Sequence, residues 1–236
     1  MHRIVILFLF FKTATACSQD LEIKHLTGNL YVYTTYNAYK NTKVPSNSMY
    51  LVTNAGVVLT DVPWDTTQFQ PLLDSIEARH HKKPLICIAT HSHEDRTAAL
   101  EYFSKKGIKT YTSTMTDSIS KATGKKRASF LFTKDTTFNI DGYKIETFYP
   151  GKGHTADNIT IWFAKDKVLY GGCFIKSTAA IDLGYTAEAY LQDWASSLIK
   201  LKNKFPSYKY VIPGHETWSS NRSIEHTLKL LKASQK

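Results

Sequence analysis

A chain of 236 residues that is 42% hydrophobic and 21% charged can bury a substantial core, as one large domain or two small ones. That composition is ordinary for a globular protein rather than a fibrous or low-complexity one, and no Pro-, Gly- or Ser-rich linker divides the chain. The formal net charge of +10 is compatible with nucleic acid, an anionic surface or an anionic substrate as partner. The lysines are scattered, however, at Lys82-Lys83, Lys105-Lys106, Lys125-Lys126-Arg127 and from Lys200 to Lys204, which favours a solvated basic surface over a nucleic-acid groove.

The first residues read as an address rather than as structure. Arg3 precedes an apolar run over 4–11, and Ala14-Thr15-Ala16 offers a small-residue cleavage site; this is the layout of a secretory signal peptide. Residues 1–16 are expected to be removed, leaving one domain over 17–236 in the periplasm, away from the cell's own nucleic acids. The apolar run is far shorter than the roughly 20 residues that span a bilayer, so no membrane helix is expected. Cys17, directly after the cleavage site, leaves lipid attachment as the one route to a membrane. The internal cysteines differ in setting. Cys87 lies in the apolar run 85–89 and reads as an inert buried thiol, whereas Cys173 follows Gly171-Gly172 among polar neighbours. No disulfide is expected between them.

Taken in chain order, residues 30–35 and 49–53 are β-rich runs separated by the polar stretch 37–47, which predicts a hairpin with a long mobile loop. A short strand at 57–60 ends on Asp61. Phe69, Leu72, Leu73 and Ile76 recur at helical spacing, with Asp65 or Thr66 as N-cap. A strand at 85–89 and a helix over 98–105 follow. Runs at 137–140 and 143–148 flank Asp141-Gly142, a two-residue hairpin signal, and runs at 159–163 and 168–170 flank a charged turn. An amphipathic helix over 187–204 turns Tyr190, Leu191, Trp194, Leu198 and Leu201 inward. A short strand at 210–212 and a helix over 223–233 complete the chain. Strands and helices alternate in both halves, which predicts a layered α/β domain; periodicity fits a single wound sheet as well, and two packed sheets with helices outside is the arrangement expected.

The strongest chemical signal is Thr90-His91-Ser92-His93-Glu94-Asp95, arriving directly off an apolar strand. In extended or looping chain, alternate side chains share a face, so His91, His93 and Asp95 converge; on a helix, at about 100° per residue, His93 would point away. Two imidazoles and a carboxylate suit zinc. Three further ligand-type residues follow glycines at strand ends or turns: His154 after Gly151-Lys152-Gly153, Cys173 after Gly171-Gly172 and His215 after Pro213-Gly214. Glycine lets the backbone turn and approach closely. Six ligands exceed the four positions of one tetrahedral zinc, so two metals are expected. His25, His80-His81 and His226 lack such context and read as surface or packing residues.

The set His91-Ser92-His93-Glu94-Asp95-Arg96, Gly153-His154-Thr155-Ala156-Asp157-Asn158, Gly172-Cys173-Phe174-Ile175-Lys176 and Gly214-His215 resembles the metallo-β-lactamase superfamily, subclass B1. Its spacing is similar to the chromosomal carbapenemases of that subclass, from about Leu21 to the C-terminus. The resemblance implies a four-layer αββα sandwich with the metals at one edge. It implies that His91, His93 and His154 hold one zinc ion and that Asp95, Cys173 and His215 hold a second. It further implies hydrolysis of the amide bond of β-lactam antibiotics (penicillins, cephalosporins or carbapenems) by a zinc-bound hydroxide, conferring resistance. In that scheme Lys176 binds the substrate carboxylate, Asp95 serves catalysis from within the metal site and Asp61 steadies the ligands. The loop 37–44, with Tyr36 and Tyr39, would close over apolar substrate groups. A monomer is expected.

Arg96 stands where many thioester and phosphodiester hydrolases of the superfamily have His, and they lack a thiolate like that of Cys173; both features favour a β-lactamase. Two departures from the family pattern are Ala98-Ala99, in place of a common Gly-Gly, and Tyr185, where many members have an Asn that polarises the lactam carbonyl. A phenol also donates a hydrogen bond, with a different reach. The rival readings are another binuclear zinc hydrolase on this fold, separable by a substrate panel, and a zinc-binding protein with a crippled site, which would bind zinc without turnover.

Overall fold

The computed structural model describes residues 21–39 and 41–234; the expected signal peptide over 1–16 and Cys17 lie outside the described residues. Seven strands form one sheet in chain order: β1 (Leu21–Thr27), β2 (Leu30–Tyr39), β3 (Thr42–Val52), β4 (Val57–Thr60), β5 (Pro84–Ile88), β6 (Lys109–Ser113) and β7 (Phe130–Phe132). The pairs from β1 to β4 are antiparallel and those from β4 to β7 parallel. A second sheet holds β8 (Thr137–Ile140), β9 (Tyr143–Phe148), β10 (Thr160–Phe163), β11 (Val168–Gly172) and β12 (Tyr210–Pro213), all antiparallel except the parallel pair β11–β12. The helices are α1 (Phe69–His80), α2 (Glu94–Thr97), α3 (Leu100–Lys105), α4 (Thr114–Ala122), α5 (Leu191–Lys204) and α6 (Ser223–Ser234).

Period-two alternation sorts the apolar side chains into three cores. Leu30, Val32, Met49, Leu51 and Val58 meet Ile145, Ile161, Val168, Tyr170 and Ile212 between the sheets. Their strand neighbours Tyr33, Tyr50, Val57 and Leu59 face outward, under Leu72, Ile76, Leu100 and Phe103 of α1 and α3. On the other side, Trp162, Leu169 and Val211 face Trp194, Leu198, Leu201, Ile224 and Leu231 of α5 and α6. The order helix, sheet, sheet, helix is the predicted four-layer sandwich. Both faces of β4 and β11 are covered, which is why these strands read as continuous apolar runs rather than alternating ones. At about 1.5–3 kcal/mol for each large apolar side chain fully buried, these cores can hold a locally unfavourable backbone at the sheet edge.

Several expectations are corrected. The stretch 37–47 is not a long mobile loop: β2 and β3 stay paired out to Tyr39 opposite Thr42, and Asn41 takes a left-handed φ of 62° beside the turn. A two-stranded extension beyond the sheet has no core face to mark it in the sequence; its ladder is helped by Gln68, which bonds both Tyr36 N and Tyr36 O, and by Trp64 beside Tyr39. Its inner half is buried for another reason, since Ser46, Asn47 and Ser48 lie under the functional site. The helix expected over 98–105 is α3, which begins at Leu100 after the short helix α2, itself not expected, and the one expected from 187 begins at Leu191. Asp65 does act as N-cap, but of a 3-10 turn preceding α1. Strands β1, β6 and β7 and helix α4 were not anticipated; the polar content of β6 hides its period, and β7, Phe130–Phe132, is too short to show one. Ala98 and Ala99 adopt right-handed helical angles that need no glycine, and Ala99 packs into the outer core, so the two methyls are absorbed there.

Candidate metal centre

The sequence-predicted residues emerge from strand ends on one edge of the sandwich. His91 and His93 follow β5, His154 follows β9, Cys173 follows β11 and His215 follows β12. Backbone hydrogen bonds lock these ends together: Asp61 N to Ile88 O at 2.8 Å, Gly214 N to Gly172 O at 2.7 Å, and Asn47 N to Gly214 O at 2.8 Å, the last joining the two sheets. Gly214 is required here because a Cβ would come 2.6 Å from the backbone of Gly172 and Cys173. Gly172 takes the left-handed turn, at φ 52°, that swings Cys173 inward. Asp95 is not in extended chain as expected. His93 is extended and caps α2, and Asp95 lies in the first turn of that helix.

All six residues join one cluster. Ligand atoms of His91, His93 and Asp95 lie within 4.8 Å of one another, as do those of Asp95, Cys173 and His215, and those of His91, His154 and Cys173. The third grouping crosses the division into two sets that the resemblance implies. The rings of His91, His93 and His154 stand mutually edge-on, with centroids 4.9–5.1 Å apart.

Hydrogen bonding fixes where the imidazole lone pairs point. Thr90 Oγ1 donates to Asp61 Oδ2 at 2.9 Å, so it accepts from His91 Nδ1 at 3.2 Å. His91 Nε2 is left as a bare acceptor, buried with no partner. His215 Nδ1 donates to the Pro45 carbonyl at 2.7 Å, so its Nε2 faces Cys173 Sγ at 3.2 Å and Asp95 Oδ2 at 3.2 Å. His93 Nε2 donates to Glu188 Oε2 at 3.0 Å, which turns its Nδ1 lone pair toward His154 Nε2 at 3.1 Å. Ring nitrogens of three histidines, a thiol and a carboxylate thus aim inward, and His91 Nε2 among them has no partner at all. An unsatisfied buried acceptor costs about 1–3 kcal/mol, and divalent cations are the group this donor set fits.

The electrostatics agree. Burial, reinforced by neighbouring positive charge, holds the His91 and His154 imidazoles well below the ordinary histidine range, hence neutral and able to ligate. Burial would raise the Asp95 carboxyl, but Arg96 and His215 outweigh it and hold it well below the usual carboxylate range. At His215 burial is overcome by Cys173 and Asp95, which pull the ring up to about 9.

Arg96 and Asp61 underlie the cluster. Arg96 is fully buried, with Nη1 donating to Asn47 O at 2.8 Å and Tyr170 Oη at 2.9 Å. Its Nη2 donates to Gly214 O at 2.9 Å and Cys173 Sγ at 3.1 Å, and pairs with Asp95 Oδ2 at 3.0 Å. Asp61 sits at a left-handed φ of 55°, at a cost of about 1–2 kcal/mol for a non-glycine residue. Its carboxylate accepts from Thr90 N at 2.7 Å, Thr90 Oγ1 at 2.9 Å and Tyr170 Oη at 2.6 Å. Hydrogen bonds to a charged group are worth about 1.5–3 kcal/mol each, so the network outweighs the backbone strain. Burial pushes the Asp61 carboxyl up to about 6, with Arg96 and these donors opposing the rise.

Three residues ring the cluster. Lys176 is buried, with Nζ 5.3 Å over the Trp194 ring; burial lowers its pKa while Cys173 and Asp95 oppose that. Tyr185 is half-exposed and stands edge-on to His93, with ring centroids 5.6 Å apart. Glu188 was not anticipated and no local motif marks it, because its role exists only through its contact with His93, 95 residues away. Carboxylates of this kind orient the ring and raise its basicity, and their loss typically weakens metal binding about 10–100-fold. Glu188→Ala is expected to lower zinc affinity by that factor, read by competition with a chromophoric chelator; unchanged affinity would remove Glu188 from the site. Both internal cysteines are free, Cys87 inert beneath Asp61 O and Cys173 in the cluster. His25, His80 and His226 make packing hydrogen bonds outside it.

Comparison with known proteins agrees with this geometry. The metallo-beta-lactamase superfamily domain matches residues 41–215. A metallo-beta-lactamase type 2 of Elizabethkingia meningoseptica is 47% identical, across 92% of this chain and 87% of its own length. The metallo-beta-lactamase IND-1 of Chryseobacterium indologenes is 42% identical, across 92% of each. Among solved structures, metallo-beta-lactamase IND-7 superposes with a TM-score of 0.87 at 42% identity, covering 90% of this chain and 98% of that one.

Proposed function

Because the chain belongs to the metallo-β-lactamase superfamily, and within it to subclass B1, we propose that it hydrolyses the amide bond of β-lactam antibiotics with two zinc ions and so confers resistance. We assign one zinc to His91, His93 and His154 and the other to Asp95, Cys173 and His215. The observation that carries this reading is the inward aim of the His91, His93 and His215 ring nitrogens, with His91 Nε2 partnerless, beside the Cys173 thiol and Asp95 carboxylate. When bound, zinc lowers the pKa of a coordinated water to about 7 and polarises a carbonyl oxygen.

The chain's own residues supply orientation. Asp61 acts through Thr90 on His91, Glu188 on His93, and the Pro45 carbonyl on His215, so each of these rings is held in one orientation before any metal arrives. Arg96 balances the charge of Asp95 and the Cys173 thiolate. Lys176 anchors the substrate carboxylate beside the metals, and Tyr185 offers a phenol over His93 to the substrate. The Tyr39 and Trp64 rings, 6.4 Å apart, give the β2–β3 hairpin an apolar tip for substrate groups. Loss of the Lys176 charge should remove one hydrogen bond to a charged group, about 1.5–3 kcal/mol. Lys176→Ala is therefore expected to lower kcat/KM about 10- to 100-fold, mainly through KM, with Lys176→Arg recovering part of it.

The pattern of residues 1–16 supports export to the periplasm, with Cys17 the point of any lipid anchor; no helix among the described residues is long and apolar enough to cross a membrane. The function is tested with a chromogenic cephalosporin. Chelation should abolish its hydrolysis and added zinc should restore it, whereas turnover persisting without metal, or confined to thioesters or phosphodiesters, contradicts the reading.

A further inference from the structure

A second concavity, of about 380 Å³, lies where the start of α4, the end of β7 and the turn after it, the segment following β9, and α5 meet. None of the six clustered residues lines it. Its volume is within the range of small-molecule sites, about 300–1,000 Å³. The lining is graded. Asp157 and Ile159, both buried, close the inner end; Met115, Phe132 and Tyr149 form apolar walls; Lys134 and Lys200 are exposed at the mouth. Neither lysine has an ion pair with a described residue, and Lys200 lies 5.5 Å over the Phe148 ring. Asp135, also at the mouth, is engaged by Tyr149 N at 2.7 Å.

The inner end is the back of the ligand-bearing segment. Asp157 Oδ2 accepts from Ser92 N at 2.9 Å, between His91 and His93, and Ile159 N donates to Thr90 O at 3.0 Å. Asp157 Oδ1 has only a long contact with Ser92 Oγ, at 3.5 Å, and keeps acceptor capacity.

We propose that this concavity is a second ligand site, for a small aromatic carboxylic acid with a hydroxyl or amino donor at its far end, and that occupancy acts on the metal centre through Asp157 and Ser92. The carboxylate pairs with Lys134 and Lys200, the ring lies between Met115, Phe132 and Tyr149, and the donor reaches Asp157 Oδ1. Drawing Asp157 toward the ligand weakens its hold on Ser92 N–H and shifts His91 relative to His93. A misplacement of about 1 Å near reacting groups can lower a rate about 100-fold, so a smaller shift suffices for partial inhibition.

The test uses 3-(4-hydroxyphenyl)propionate and the zinc-loaded protein. Amide resonances of Ser92, Met115 and Thr133 should shift saturably, and kcat should fall severalfold at unchanged KM. The double variant Lys134→Glu/Lys200→Glu should keep uninhibited kcat and KM within twofold and bind the probe at least tenfold more weakly. Three results would overturn the proposal: no saturable shift at these amides, binding undiminished in the variant, or a rise in KM alone, which would put the probe at Lys176. The resonance shifts do not depend on turnover, so they stand apart from the outcome of the cephalosporin assay.

Discussion

Arg96→Ala should lower the stability of the metal-free protein by about 3–5 kcal/mol, the usual result of removing one partner from a buried ion pair. For a domain of this size that corresponds to a fall in Tm of about 6–20 °C, at about 2–4 °C per kcal/mol. The guanidinium is fully enclosed and bridges Asn47 on one sheet to Gly214 on the other while lying 3.0 Å from Asp95 and 3.5 Å from Asp61. Its removal takes the buried counter-charge from Asp95 and Asp61 and one donor each from Asn47 O and Gly214 O. Arg96→Lys should recover only part of the loss, because one ammonium cannot serve both branches of a planar fork. Thermal denaturation of chelator-treated protein measures the effect, and a Tm within 2 °C of the parent would show that Arg96 does not organise this edge.

Cys173→Ser is expected to have the largest effect on turnover. A serine hydroxyl stays protonated where a cysteine gives a soft thiolate, so the set Asp95, Cys173 and His215 loses its best zinc donor. It also deprives Arg96 Nη2 of the sulfur 3.1 Å away. We expect kcat to fall about 100- to 1,000-fold, the scale seen when a preorganised electrostatic stabiliser is removed, and bound zinc to fall from about two per chain to about one. Turnover and metal content should be measured on the same preparation. Loss of zinc with full activity would mean that a single ion suffices, and full retention of both would remove Cys173 from the metal site.

What the sequence disclosed followed from local chemistry. His91, His93 and Asp95 were legible because three ligand types at alternate positions are rare by chance, and His154, Cys173 and His215 because each follows a glycine at a strand end. Even so, the extended or looping backbone expected at Asp95 does not hold, since helix α2 begins directly after His93 and a side chain can converge from a first helical turn as well as from a strand. Arg96 was noticed only as a difference from related hydrolases. Its contacts join Asn47, Tyr170, Cys173 and Gly214, residues far apart in the chain, and no periodicity encodes such a meeting. Glu188 was missed for the same reason. The β2–β3 extension was misread because a strand pair with no core to cover has the composition of a loop.

The measurement that bears most directly on the account is anomalous diffraction at the zinc edge from crystals grown with zinc. Two peaks are predicted, one bounded by His91, His93 and His154 and the other by Asp95, Cys173 and His215. A single peak, or a second one placed away from Cys173, would contradict it.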